Sequence, residues 1–265
     1  MIKGILYFSR TEVGIILKTE KIDSIPGLIS RLETDNKGYK GSIWYRGHSD
    51  ASWSLIPGYY RIENAPPEST LVKRFKQSAA MLISVAPKDS FDWLFLMQHY
   101  GVPTRLLDWS ESPLVALYFA VSQESEKHKN EDAVLWSLRP SELNKNAGIN
   151  DAEEEFFIPS FEDEELMNYS VESIRQNARN QMKPLATIAT RNNERIQAQH
   201  GVFTIHHNEK IAIENVGDRS HVIKYIVPKD QKPIIAKQLE LLGFTKFQLF
   251  PELSSIGDII KGGLI

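Results

Sequence analysis

Three short stretches of the sequence hold the side chains that could bind or transform a ligand. They read YRGHSDASW from Tyr45, QHYGVPTRLLDWSES from Gln98, and QAQHGVF from Gln197. The guanidinium of Arg46 is suited to two-pronged binding of phosphate, and the ring of Trp109 is suited to stacking on a flat ligand ring. Groups of this kind bind anions and flat rings better than they activate water.

The sequence lacks the short motifs of several common chemistries. It contains no GxxxxGK[ST] loop, no GxGxxG and no GxSxG elbow, so P-loop, Rossmann and hydrolase sites lack their backbone framework. His206 and His207 are adjacent and would point to opposite faces of a strand, which is not a metal-ligand spacing. We therefore expect no metal site.

The elements that must position these groups surround the second stretch. An apolar segment ends at Gln98, and Gly101 begins a turn. The run TRLLDWS predicts a short extended segment, in which Arg105 and Asp108 could also form one internal ion pair. Ser112 is a candidate N-cap for a buried helix reading PLVALYFA.

The rest of the chain shows strands in runs, with helices grouped between Thr70 and Val121. This order favours an α+β fold with a mixed or antiparallel sheet and helices packed around it, in a single domain spanning 1–265. Helices are predicted to begin with caps at Thr70 and Ser90. The remaining predicted elements are strands or hairpins at 2–17, 42–45, 133–138, 199–205 and 225–227, a helix at 232–242, and a final strand and turn in FTKFQLFPEL. Leu106, Leu107, Leu114, Leu117 and Phe119 are predicted to be buried.

The composition is that of a globular chain with a sizeable core. The 265 residues are 42% apolar and carry a net charge of −3, which gives no overall attraction to nucleic acid. The chain has no cysteine, signal-like segment or membrane-length apolar run, so a cytoplasmic location without membrane contact is expected. Eight carboxylates within Asp151–Glu165 predict a solvated surface, and the basic residues from Arg175 to Arg195 predict a surface helix or a phosphate-binding patch.

The motifs YRGHSDASWSL, QHYGVPTRLLDWSESPLVALYFA and QHGVF, in this order, resemble those of the FRG domain family of bacterial and phage proteins. The aromatic-Arg-Gly motif that names the family stands here as Tyr45, Arg46 and Gly47. The resemblance covers roughly residues 20 to 140, and the C-terminal half matches at QHGVF and FPEL. Family membership alone does not define an activity.

A second set of features resembles ADP-ribosyltransferases of the Arg, Ser-Thr-Ser, Glu-x-Glu type. The resemblance implies that Arg46 grips the phosphates and ribose of NAD, that Ser110 stands at the serine of the second motif, and that Gln199 stands where the catalytic glutamate would be. A glutamine cannot supply the negative charge that stabilises an oxocarbenium-like transition state. Asp108, Glu111 or Glu194 would then have to supply it.

The function implied by this resemblance is NAD-dependent mono-ADP-ribosylation, with a toxin or phage-defence effector as the setting. NAD would be the substrate, bound by Tyr45, Arg46, Gly47, His48, Trp109 and Tyr118, while Arg46, Asp108, Ser110 and Gln199 would carry the catalysis. The acceptor could be protein, RNA or DNA, and an antitoxin or regulator is a further expected partner. The alternatives are a non-catalytic nucleotide or nucleic-acid binding module and, third, phosphoryl chemistry such as that of a nuclease.

Overall fold

A mixed seven-stranded sheet forms the centre of the protein in a computed structural model. The structure describes residues 17–83, 87–122, 128–177, 179–189 and 194–262. Across the sheet the strands lie in the order Thr19–Lys21, Val222–Val227, Ala133–Leu138, Trp44–His48, Leu106–Ser110, Gly201–Ile205 and Leu185–Thr187. The first two pair in parallel, and the other neighbours are antiparallel. The predicted α+β class is therefore confirmed. The hairpin expected at 2–17 lies almost entirely outside the described residues.

The strands are β1 (Thr19–Lys21), β2 (Trp44–His48), β3 (Leu106–Ser110), β4 (Ala133–Leu138), β5 (Leu185–Thr187), β6 (Gly201–Ile205) and β7 (Val222–Val227). The helices are α1 (Ile25–Asp35), α2 (Glu68–Ala79), α3 (Ser90–His99), α4 (Pro113–Val121), α5 (Pro140–Asn146), α6 (Glu164–Met167), α7 (Val171–Gln176), α8 (Glu194–Ala198), α9 (Lys232–Leu241), α10 (Lys246–Leu249) and α11 (Leu253–Gly262). In the described ranges, no helix is both long and apolar enough to cross a membrane.

Most of the predicted elements form, and the differences occur at helix ends and near the C-terminus. The Ser112 hydroxyl caps α4 by accepting from the Val115 amide, as predicted. Asp89, and not Ser90, caps α3, because its carboxylate accepts from two amides of the first turn. The cap predicted at Thr70 is wrong as well, since α2 already begins at Glu68 after Pro67.

The final strand predicted in FTKFQLFPEL is wrong, because this segment forms α10 and leads into α11. The Thr245 hydroxyl accepts from the Gln248 amide, which starts a helical turn where the alternating apolar residues suggested a strand.

Three apolar clusters pack on the sheet. One lies beneath α1, α4 and α9 and includes Tyr45. A second, beneath α2 and α3, includes Leu106 and Phe203. Side chains alternate along a strand, so Trp44 and Trp109 belong to a third cluster, on the opposite face. Of the residues predicted to be buried, Leu106, Leu107 and Leu117 are confirmed, whereas Leu114 and Phe119 are only half-buried.

The sheet is nearly divided at its centre. β2 pairs with β4 along its full length, and β3 pairs in the same way with β6. Between β2 and β3, however, the register within the described residues consists of one pair, Tyr45 with Ser110. The two halves of the sheet therefore open apart beyond Tyr45, directly where Arg46 and His48 follow.

A buried ion pair fixes the start of β3. The Arg105 Nε donates to the Glu68 carboxylate of α2 at 2.6 Å, and its other nitrogens donate to the carbonyls of Tyr169 and His206. An ion pair between Arg105 and Asp108 does not form, because the two side chains leave opposite faces of the strand. Arg105 is a structural residue that ties four segments together.

Replacing Glu68 with Gln is expected to destabilise the fold by about 3 to 5 kcal/mol, because the Arg105 charge stays buried without a counter-ion. The control is Glu142→Gln, which removes one partner of the exposed Lys145–Glu142 pair and should cost less than about 1 kcal/mol. Urea denaturation measures both free energies of unfolding. Equal losses in the two variants would contradict the structural role of the Arg105–Glu68 pair.

Candidate functional site

A cleft opens beside the central break in the sheet. Its volume is about 790 Å³, within the range of roughly 300 to 1,000 Å³ that small-molecule sites occupy. β3 and β6 form its base, α3 and α4 form two of its walls, and α8 closes a further side. The cleft thus lies where the helices covering the two halves of the sheet leave a gap.

The cleft collects nearly all the residues that the sequence nominated. Tyr45, Arg46, Gly47, His48, Asp108, Trp109, Ser110 and Gln199 line it. Tyr118 is not among the lining residues. Residues more than 150 positions apart therefore meet at one site, and the role of each remains a prediction.

Arg46 occupies the opening between β2 and β3. Its Nε donates to the Nε2 of His48 at 2.9 Å, and its Nη1 donates to the backbone carbonyl of Asp108. That carbonyl lies on the edge of β3 that faces the opening, so the guanidinium bridges the two strands. Burial lowers the pKa of Arg46 from its high ordinary value, the charge of Asp108 opposes this, and the charge of Arg61 adds to it.

His48 is a neutral imidazole that orients Arg46. It is 3% exposed, and burial, reinforced by the positive charges of Arg46 and Arg61, lowers its pKa well below the usual range. Because Nε2 accepts the bond from Arg46, the proton of the neutral ring must lie on Nδ1. This tautomer leaves His48 able to hold the guanidinium without adding a charge to the cleft.

Asp108 is the exposed residue in the middle of an otherwise buried strand. Its neighbours alternate into the cores, whereas its own side chain lies at the cleft. Asp92 of α3 is the second carboxylate on the cleft wall, and it accepts a hydrogen bond from the Lys88 amide. Glu111 and Glu194, which the sequence left as alternatives to Asp108, do not line the cleft.

Ser110 and Gln199 hold the floor of the cleft together. The Ser110 hydroxyl donates to the Gln199 carbonyl at 2.7 Å and accepts from the Ser112 amide at 3.0 Å. The Gln199 side chain donates to the Leu249 carbonyl at 2.9 Å, which joins the end of α8 to α10. In this arrangement both residues position backbone segments around the cleft.

The aromatic rings that a ligand could contact in the cleft are not the ones that the sequence predicted. Trp109 borders the cleft, but its indole lies in the third core cluster and donates to the Thr204 hydroxyl, so its face is covered. Tyr118 packs against the core beneath α4. Successive residues of an α-helix are rotated by about 100° around its axis. The next residue, Phe119, therefore lies on a different face of α4 and lines the cleft. Trp53, Phe95 and Phe119 are half-buried rings of the lining that a ligand could meet there.

The absence of a side chain at Gly47 lets α4 pack closely on β2. A Cβ at this position would lie 1.9 Å from the Ala116 carbonyl oxygen and 2.6 Å from the Ala120 amide nitrogen, both in α4. Although Gly47 lines the cleft, the space of its missing side chain is filled by the helix.

Sequence reasoning did not nominate Trp53, Arg61, Lys88 or His99, all of which line the cleft, and it left Arg195 as a generic basic residue. Arg61 follows a proline and two tyrosines, a pattern of a rigid turn, but nothing in the sequence says that the turn faces Arg46.

The lining includes four cationic side chains and two carboxylates, although the whole chain is acidic. This local excess of positive charge favours an anionic ligand.

Nothing in the described ranges groups three or more histidine or carboxylate side chains in a way that could hold a metal ion. The cations and rings of the cleft suit a phosphate-bearing ligand with flat rings.

Residues 41–129 match the family model described as the FRG domain. This segment runs from just before β2 through α4, and so includes Arg46, His48, Asp108 and Ser110. Comparison with the curated proteins and with the solved structures gave no significant match.

Gly47→Ala is expected to cost at least about 1 to 3 kcal/mol of unfolding free energy, because the new methyl group would overlap backbone atoms that cannot rotate away. Gly257→Ala in α11 is the matched control, since a Cβ there meets nothing within 4 Å. The control should be neutral or slightly stabilising. Thermal denaturation compares them, and an unchanged Gly47→Ala variant would show that α4 does not pack on β2 as described.

Proposed function

We propose, on the premise that the chain contains an FRG domain, that its cleft binds NAD and that the protein transfers the ADP-ribosyl group to an acceptor. The acceptor would be a protein or a nucleic acid, and the setting that of a toxin or phage-defence effector. One observation supports this proposal above the others: Arg46 bridges the break in the sheet inside a cleft of dinucleotide size, beside the exposed Asp108.

Binding would depend on the donors of Arg46 that remain available. Two of its nitrogens are directed to His48 and to the Asp108 carbonyl, which fixes the plane of the guanidinium. Its Nη2 makes no hydrogen bond to any described residue, and phosphate oxygens are the acceptors that such a fork prefers. A preoriented arginine loses little conformational entropy when the ligand binds.

Transfer would break the bond between C1′ of the nicotinamide ribose and the nicotinamide nitrogen. The bonding electrons leave with nicotinamide, and the ribose gains oxocarbenium character until an acceptor nucleophile attacks and loses its proton. A carboxylate beside C1′ stabilises that developing positive charge. We assign this role to Asp108, whose backbone carbonyl binds Arg46, because Gln199 is uncharged and the second cleft carboxylate, Asp92, accepts a hydrogen bond from the Lys88 amide.

A non-catalytic nucleotide-binding module is the second candidate, and a specific observation favours it. The Ser110 hydroxyl and the Gln199 amide, to which the resemblance would give the second and third transferase motifs, both make hydrogen bonds that hold backbone segments of the fold. A binding module would use Arg46 as proposed and would release no nicotinamide.

Arg46→Lys should weaken NAD binding by about 1 to 3 kcal/mol, because lysine keeps the charge but loses the planar fork and the bond to His48. Isothermal titration calorimetry measures the affinity. Arg74→Lys, an exposed substitution on α2 outside the cleft, is the control and should bind NAD as the parent protein does. Equal affinities in all three proteins would remove Arg46 from the site.

Asp108→Asn should lower the rate of nicotinamide release by roughly a hundredfold or more while NAD affinity changes little, because the carboxylate would act on the transition state. Glu111→Gln removes a nearby carboxylate that does not line the cleft, and it should leave the rate unchanged. Chromatography of nicotinamide quantifies release. Saturable NAD binding with no release by the parent protein would favour the binding module.

A further inference from the structure

Arg61 lines the same cleft as Arg46 and is held there by a rigid turn. It ends the 3-10 turn Gly58–Arg61, which follows Pro57. Its Nε donates to the Ile56 carbonyl at 2.9 Å, which leaves the two terminal nitrogens of the guanidinium. The Arg61 guanidinium is therefore anchored through its Nε, and the residue forms part of the cleft lining.

Two tyrosines fasten that turn to the rest of the protein. The Tyr60 hydroxyl donates to the His207 carbonyl, and the Tyr59 hydroxyl donates to the Pro66 carbonyl at 2.9 Å. The Tyr59 amide also bonds to the Thr104 carbonyl, directly before Arg105 and β3. The turn therefore moves with the strand that carries Asp108, and Arg61 is positioned on a fixed support.

Arg46 and Arg61 of the cleft differ from the buried Arg105 in their ion pairing. Throughout the described ranges, neither Arg46 nor Arg61 forms an ion pair, whereas the buried Arg105 has Glu68. Both arginines line the one cleft, and the charge of Arg61 contributes to lowering the pKa of Arg46 and the pKa of His48. Asp108 offsets part of the positive charge at Arg46, and an anionic ligand would offset more of it.

We infer that Arg46 and Arg61 form a diphosphate subsite, in which each guanidinium takes one phosphate of a pyrophosphate linkage. This inference rests on the cleft that is proposed to bind NAD, and it assigns the phosphate-binding role to a pair of residues from two different elements. A single phosphate can satisfy one fork, whereas a pyrophosphate offers an acceptor group to each. Trp53, whose ring centroid lies 5.9 Å from that of His48, also lines the cleft.

The test is calorimetric titration of the full chain with inorganic pyrophosphate and, separately, with orthophosphate. The parent protein should bind pyrophosphate more tightly, and Arg61→Gln should weaken that binding by roughly tenfold to a hundredfold, the effect of one charged hydrogen-bonding group. Orthophosphate binding should change much less, because Arg46 remains. Arg74→Gln removes the same charge outside the cleft and should bind both anions as the parent does.

Parent protein that binds the two anions equally, or an Arg61→Gln variant that binds pyrophosphate normally, would overturn the diphosphate subsite. Arg61→Lys provides a second variant if the glutamine variant does not fold, and it should also lose affinity because lysine has no fork. Nicotinamide release separates this result from the proposed function. Loss of pyrophosphate binding in a protein that releases no nicotinamide would support the subsite and contradict the transferase, whereas normal NAD turnover by Arg61→Gln would do the reverse.

Discussion

The structure depends on the single residue pair that joins the two halves of the sheet. Tyr45 and Ser110 make that pair, and beyond it β2 and β3 diverge. A separation in the middle of a sheet leaves backbone groups without ladder partners, which is costly unless another group bonds to them. Arg46 meets this need at the Asp108 carbonyl, so the same guanidinium that closes the gap is also the candidate ligand-binding group.

The surrounding packing keeps this opening in place. On one side, α4 contacts β2 so closely that only glycine fits at position 47. On the other side, the buried pair of Arg105 with Glu68 fixes the start of β3 to α2. Neither half can rotate to close the break without disrupting one of these contacts. The cleft is therefore a preformed feature of the fold, as small-molecule sites generally are.

The cleft is positively charged, whereas the chain as a whole is acidic. The protein carries a net charge of −3, yet its cleft concentrates cationic side chains, among them Arg46 and Arg61, which form no salt bridge in the described part of the chain. Burial keeps His48 neutral, so the imidazole accepts a hydrogen bond from Arg46 and does not add to the repulsion. The diphosphate of the proposed dinucleotide ligand would offset this positive charge.

Much of this arrangement could be predicted from local sequence signals. The cap at Ser112 and the alternation in TRLLDWS indicated α4 and β3, and the aromatic-Arg-Gly motif indicated Arg46. Long-range partners could not be predicted, because no local pattern pairs Arg105 with Glu68 or brings Arg61 to the cleft. The sequence also could not predict which aromatic rings line the cleft and which lie in the core, because this depends on how a helix or strand is rotated against its neighbours.

The most direct measurement is a crystal structure of the protein in complex with NAD. The account predicts that the diphosphate lies against Arg46 and Arg61, with C1′ of the nicotinamide ribose beside the Asp108 carboxylate. NAD bound at another surface, or an empty cleft in crystals grown at an NAD concentration that saturates the protein in solution, would contradict it.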